Sequence, residues 1–204
     1  GKTMSPSASF NLGLLVTAVL ASLGALGLVE VLVPDISIWI GTLLGVAVTL
    51  IAAVSTRYYA GMECKPVKEL AEAAKRGPAI SIIVGLGNGL QSPIASIIMT
   101  VVAMIVAYNI SGGSLFVIAT VNLGTDLLIG YIMAADAFGP IIDNASGIAE
   151  MSYAPKELVE KLSSLDSVGN TMKAITKAYS MSSGTVTSFV AFNVFFALTN
   201  NSVL

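Results

Sequence analysis

At 204 residues, 55% hydrophobic and only 11% charged, the chain is far from the roughly 25% charged residues of a soluble domain. Its composition predicts an all-α, polytopic membrane protein. The net charge of −2 gives no reason to expect a nucleic-acid partner, and none is expected. The single cysteine, Cys64, excludes an internal disulfide and has no companion for a zinc motif. With no histidine in the sequence, any chemistry falls to Asp, Glu, Asn, Lys or Ser.

Phe10 to Val33 is the first predicted span, ended by Pro34-Asp35. Ile36 to about Tyr58 is the second. At about 1.5 Å per residue each can cross a hydrocarbon core of about 30 Å, and the short connection makes them an antiparallel hairpin with Glu30 solvated near its turn. Arg57 to Gly77 is polar. Pro66 fits the first turn of a helix, Gly77 fits its stop, and Leu70, Ala73 and Ala74 form a narrow apolar stripe, so a short surface helix is expected. Pro78 to Tyr108 is the third span, long enough to tilt or project beyond lipid. It carries Gly85, Gly87, Asn88, Gly89, Gln91 and Ser92 as a packing face and Pro93 as a kink. After the Gly-rich turn Asn109–Ser114, the fourth span runs from Leu115 to about Asp143. It holds Asp126 inside an apolar run, where a carboxylate is either functional or a neutral acid bonding between helices. Asn144 to Asp166 is an expected polar loop with a short helix from Pro155 through Leu162. The fifth span, Ser167 to about Thr199, continues into Ser180, Ser182, Ser183, Thr185, Thr187 and Ser188, a small polar face suited to a bundle interior.

The expected architecture is thus a single transmembrane region of five spans, near 10–33, 36–58, 78–108, 115–143 and 167–199, with polar loops at 59–77 and 144–166. All ten lysines and arginines fall in the N-terminal tail, the Arg57–Arg76 stretch and the Lys156–Lys177 stretch. The positive-inside rule puts those three on the cytoplasmic side. No repeat, low-complexity tract or Walker loop interrupts this pattern.

Polar groups cluster where two spans meet the cytoplasmic side. Asp136 and Asp143 lie two turns apart, so a continuous helix puts both on one face. Asn170, Lys173 and Lys177 also share a face. The two helix ends are either ordinary solvated termini with snorkelling side chains or halves of a site for a metal-bound anion.

The motifs around these residues carry more than their spacing. Residues 136–151 read Asp-Ala-Phe-Gly-Pro-Ile-Ile-Asp-Asn-Ala-Ser-Gly-Ile-Ala-Glu-Met, and 165–171 read Leu-Asp-Ser-Val-Gly-Asn-Thr. Residues 56–77 read Thr-Arg-Tyr-Tyr-Ala-Gly-Met-Glu-Cys-Lys-Pro-Val-Lys-Glu-Leu-Ala-Glu-Ala-Ala-Lys-Arg-Gly. Together they resemble the membrane-integral pyrophosphatases, ion pumps driven by pyrophosphate. The resemblance implies a homodimer of roughly sixteen-helix subunits in a cell membrane or acidic-organelle membrane, hydrolysing pyrophosphate at a cytoplasmic Mg2+ site and moving H+ across the lipid bilayer. It implies that Asp143 and Asn170 are metal-binding, that Lys177 approaches the pyrophosphate, and that Lys173 marks the potassium-independent class. In that class the ammonium takes the space and charge of a bound potassium ion. Asp126 and Asp136 remain possible intramembrane or structural acids.

The sequence departs from the family pattern at Met172, at Ala178–Met181, at Gln91 and at Asp126. The acidic motif Asp-Val-Gly-Ala-Asp-Leu-Val-Gly-Lys of an earlier family span is absent, as is a late acidic and lysine cluster. These absences, and a start at Gly-Lys-Thr without a signal peptide, give the expectation of a middle portion of a pump lacking most of the site. The alternatives are a truncated, non-enzymatic membrane module or oligomerisation partner, and an unrelated transporter with Asp126 on its path.

Overall fold

The computed structural model describes residues 4–199. Among them it is all helical: α1 Pro6–Leu32, α2 Ile36–Ala60, α3 Lys65–Ala74, α4 Pro78–Gln91, α5 Ile94–Ile110, α6 Leu115–Asp126, α7 Ile129–Met151 and α8 Lys156–Thr199. Five stretches are long and apolar enough to cross a membrane: α1, the α2–α3 segment, α4 with α5, α6 with α7, and α8. The expectation of an all-helical chain with about five stretches able to span a membrane is met.

The breaks have local causes. Pro34 cannot continue α1, and Asp35 caps α2 by accepting from the Ser37 amide at 2.9 Å and the Ser37 hydroxyl at 2.7 Å. Those two bonds, hydroxyl first, hold the Asp35 carboxyl below its ordinary value. Pro66 lies in the first turn of α3, as expected. Gly77, at φ +112°, makes the turn into α4, a left-handed conformation that disfavours any side chain. Pro93 separates α4 from α5. Gly112 and Gly113, at φ +65° and +94°, close the turn before α6.

Two boundaries differ from expectation. The stretch 144–166 is not a loop: α7 continues to Met151, and α8 begins at Lys156 and runs 44 residues without a break. The short helix expected near Pro155–Leu162 and the fifth span are one helix. Polar residues are as compatible with helix as apolar ones once outside lipid, and Lys156 and Glu160 pair at 3.6 Å one turn apart. Only Ser152–Pro155 interrupts the chain. Tyr153 takes φ 57° there, and the Ala154 amide returns to the Ala149 carbonyl at 3.0 Å, a helix stop of the kind glycine usually supplies.

The chain divides into two compact units. Among the described residues, one comprises 4–16, 53–94 and 130–178; the other comprises 17–52, 95–129 and 179–199. In the second, Ile38, Val48, Ala103, Ala107, Val117, Val121 and Val186 form a buried apolar cluster. There α2 and α6 approach so closely that a Cβ on Gly45 would strike the Val121 carbonyl, and one on Gly124 would strike the Thr42 carbonyl. Thr42, Thr49, Thr120 and Thr125 are buried alongside, small residues that permit the contact. In the first unit α3 lies on α4, joined by the Asn88 amide donating to the Pro66 carbonyl at 3.2 Å. Tyr131 of α7 donates to the Phe10 carbonyl of α1 at 2.8 Å.

Candidate active site

The first unit brings α7 and α8 together at two glycines. A Cβ on Gly169 would lie 3.0 Å from the Gly139 Cα and 3.0 Å from the Ile142 Cγ2. A Cβ on Gly139 would lie 2.6 Å from the Cε and 3.0 Å from the Cγ of Lys173. The lysine stem therefore runs over Gly139, in the notch left by the missing side chain. Long side chains on a helix lean toward its N-terminus, and that lean carries the Lys173 ammonium to the Asp143 and Asn170 end.

There the ammonium lies 3.5 Å from Asp143 Oδ2 and donates to Asn170 Oδ1 at 3.2 Å. The Asn170 amide in turn donates to Asp166 Oδ2 at 3.2 Å. Asp166, Asn170, Lys173 and Asp143 thus form one continuous polar chain across α7 and α8. The Lys173 side chain is 29% exposed and that of Asp143 63%. A pair this open to water contributes little to stability, about 0–1 kcal/mol. Its arrangement matters more for what the exposed carboxylate can bind.

Of the residues singled out by sequence, the structure brings together Asp143, Asn170 and Lys173. Lys177, one turn beyond, is exposed and makes no ion pair among the described residues. Asp136 is half-buried and has no hydrogen-bond or ion-pair partner among them. Asp126 belongs to the second unit, in a different setting. Its Oδ1 accepts from Tyr179 and Ser183, each at 3.1 Å, and its Oδ2 accepts from Asn122 at 3.2 Å. Asp166 is a functional candidate that the structure adds, and its i, i+4 spacing to Asn170 is the sequence signal for it. Gly139 has no such signal, since nothing in a sequence says which side chain will fill a notch.

The donor set suits a hard cation in part. Asp143, Asn170 and Asp166 offer carboxylate and amide oxygens, the class magnesium prefers. Asp166 Oδ1 is buried and has no hydrogen-bond partner, an orphan that calls for a donor or a cation. Among the described residues no three Asp, Glu, Cys or His side chains converge as a metal-holding group, so by themselves these oxygens would make up only a portion of a hard cation's shell.

Comparison with known proteins gives a consistent set of relatives. The family model described as inorganic H+ pyrophosphatase matches residues 1–204. The chain is 33% identical over 205 residues to the K(+)-insensitive pyrophosphate-energized proton pump 2 of Moorella thermoacetica, covering 95% of this chain and 30% of that protein. It is 38% identical over 148 residues to the K(+)-insensitive pyrophosphate-energized proton pump of Methanosarcina mazei, covering 70% of this chain and 22% of that protein. With the pyrophosphate-energized membrane proton pump 3 of Arabidopsis thaliana it shares 36% over 165 residues, 75% of this chain and 21% of that protein. The chain spans less than a third of the length of these relatives.

Proposed function

We propose that this chain, which belongs to the inorganic H+ pyrophosphatase family, supplies two walls of the pyrophosphate site in a potassium-independent, pyrophosphate-energised proton pump. The observation that carries the reading is the Lys173 ammonium held between Asp143 and Asn170. A fixed cation in that position does what a bound potassium ion would do. It balances the Asp143 carboxylate and presents positive charge to an incoming phosphate, and it needs no ion from solution. The Moorella and Methanosarcina relatives, both named as K(+)-insensitive pumps, support this assignment.

In this reading Asp143 and Asn170, with Asp166 behind them, would hold Mg2+ from the α7–α8 side. Magnesium, when bound, neutralises and polarises the phosphoryl oxygens. Lys177 is an exposed ammonium one turn from Lys173, placed to neutralise charge on a leaving phosphate by charge-assisted hydrogen bonds. The Arg57–Arg76 and Lys156–Lys177 stretches would face the cytoplasm, by the clustering of lysine and arginine. The exposed apolar side chains of α1, among them Leu20, Leu28, Val31 and Leu32, suit lipid or further helices, and a homodimeric assembly is part of the same proposal.

The test is pyrophosphate hydrolysis against potassium concentration, in a full-length pump carrying this segment. The native segment is expected to run equally well with and without potassium. Lys173→Ala is expected to lose rate and to regain part of it when potassium is added. Asp143→Ala and Asn170→Ala are expected to abolish magnesium-dependent hydrolysis while membrane insertion persists. Strong potassium activation of the native segment would defeat the class assignment, and near-normal hydrolysis by Asp143→Ala would remove that residue from the site.

A further inference from the structure

The second unit, residues 17–52, 95–129 and 179–199, contains none of the chain's ten lysines and arginines. Its acids are Glu30 and Asp35, beside the α1–α2 turn, and Asp126, the last residue of α6, inside the fourth span. Among the described residues Asp126 makes no ion pair, and the nearest cation along α8, Lys177, is exposed and stands two residues before Tyr179. What it has is a ladder of neutral groups. Tyr179 and Ser183 of α8 donate to its Oδ1, and Asn122, one turn back on α6, donates to its Oδ2. Thr187 donates to Asn122 Oδ1 at 2.7 Å, and the Thr125 hydroxyl lies 3.1 Å from the Ser183 hydroxyl. The ladder covers two turns of α8 and one of α6. Tyr179 is its one other titratable member.

Such dipoles solvate a carboxylate but do not cancel its charge, and an unbalanced charge within a membrane is costly. A proton would cancel it. The hydroxyls of Tyr179 and Ser183 rotate, so each can donate to the ionised carboxylate or accept from the protonated one. The same heavy-atom arrangement thus serves both states, which a structural hydrogen bond does not require. Asp126 itself is half-buried.

We propose that Asp126 is an intramembrane proton-binding site, with Tyr179 and Ser183 as the hydroxyls that accommodate its two states. A proton from water forms the O–H bond on the carboxylate, and the facing hydroxyl turns from donor to acceptor. No oxidant or leaving group is involved. The assignment stands on this network and charge inventory and not on the pyrophosphate site.

The experiment is labelling with N,N′-dicyclohexylcarbodiimide, an apolar reagent for protonated carboxyl groups, of the protein in lipid vesicles. The adduct is located by peptide mass spectrometry. The expected result is an adduct on Asp126 that declines as pH rises and is indifferent to sodium. Tyr179→Phe and Ser183→Ala each remove a hydroxyl from Asp126 Oδ1, so the pH dependence of the adduct should differ from the native protein's. Asp126→Glu, which keeps a carboxyl, should keep the adduct if Asp126→Asn fails to insert. No adduct at any pH, or one that does not change with pH, would overturn the proposal. So would protection by sodium at constant pH, which would mark a metal-cation site. Because the readout is labelling, a failed pyrophosphatase reading would leave this result untouched.

Discussion

Lys173 shows how one side chain depends on the absence of another. Its stem occupies the notch over Gly139, and its ammonium reaches Asp143 and Asn170 only along that route. The spacing of Asn170, Lys173 and Lys177 was legible, and so was their shared face. The pairing with Asp143 was not, because spacing along one helix says nothing about where a second helix crosses it. The two glycines at the crossing should respond differently. In Gly139→Ala the new methyl meets the flexible lysine stem at 2.6 and 3.0 Å and the Gly169 carbonyl at 3.2 Å; the stem swings away and the backbone contact yields by a few tenths of an ångström, at small cost in stability. The ammonium would then leave Asp143 and Asn170, and displacing a charged group by about 1 Å can cost on the order of 100-fold in rate. In Gly169→Ala the methyl meets the Gly139 backbone and Ile142, so the helices themselves must separate, at about 1–3 kcal/mol. Thermal unfolding in detergent beside hydrolysis by the full-length pump distinguishes them. Gly139→Ala is expected to unfold near the native temperature with depressed hydrolysis and a new potassium response, and Gly169→Ala to unfold earlier. A Gly139→Ala protein with native hydrolysis would show that the lysine finds its position without the notch.

At the level of elements, the apolar runs gave the five spans because a single segment inside lipid satisfies its own backbone only as a helix. Prolines and glycines gave the breaks at Pro34, Gly77, Pro93 and Gly112 for equally local reasons. The stretch 144–166 was misjudged because polarity marks where a helix leaves lipid, not where it ends. The interruption there rests on Ser152–Pro155 alone, with a tyrosine in the left-handed position where a glycine would have announced a stop. The closeness of α2 and α6 had a signal that went unused: Gly41 and Gly45 are four apart in an apolar helix, the small-residue spacing that lets membrane helices touch. That contact is testable against a built-in control. A Cβ on Gly124 would meet the Thr42 carbonyl, whereas a Cβ on Gly24 of α1 would meet nothing within 4 Å. Gly124→Ala should cost about 1–3 kcal/mol. Gly24→Ala should be neutral or gain up to about 1 kcal/mol from helix propensity. Equal unfolding temperatures for the two variants would mean that α2 and α6 are not in contact.

For the whole molecule, the charge distribution and the span count make one joint statement about orientation. An odd number of spans places the termini on opposite sides, and alternate connections on alternate sides. The α1–α2 turn at 33–35 and the α5–α6 turn at 111–114 then share one face of the membrane, and the segments around Cys64 and Ser152–Pro155 share the other. The first pair carries no lysine or arginine, while residues 1–16, 53–94 and 130–178 hold all ten. Positive charge is retained on the cytoplasmic side during insertion, so the second face, with Asp143, Asn170 and Lys173, should be cytoplasmic, where soluble pyrophosphate would meet it. Cys64, the single native cysteine and partly exposed, reports on that face without mutation. Asn109→Cys in a Cys64→Ser background reports on the other, at an exposed position beside the α5–α6 turn. A membrane-impermeant maleimide applied to inside-out vesicles is expected to label Cys64 and to leave position 109 unlabelled; right-side-out vesicles should reverse the pattern. Labelling of both positions from the same side would require an extra or a missing crossing between residues 64 and 109, and so would break α4 and α5 as one span. A fully inverted pattern would keep the five spans and overturn the assignment of Asp143, Asn170 and Lys173 to the cytoplasmic face.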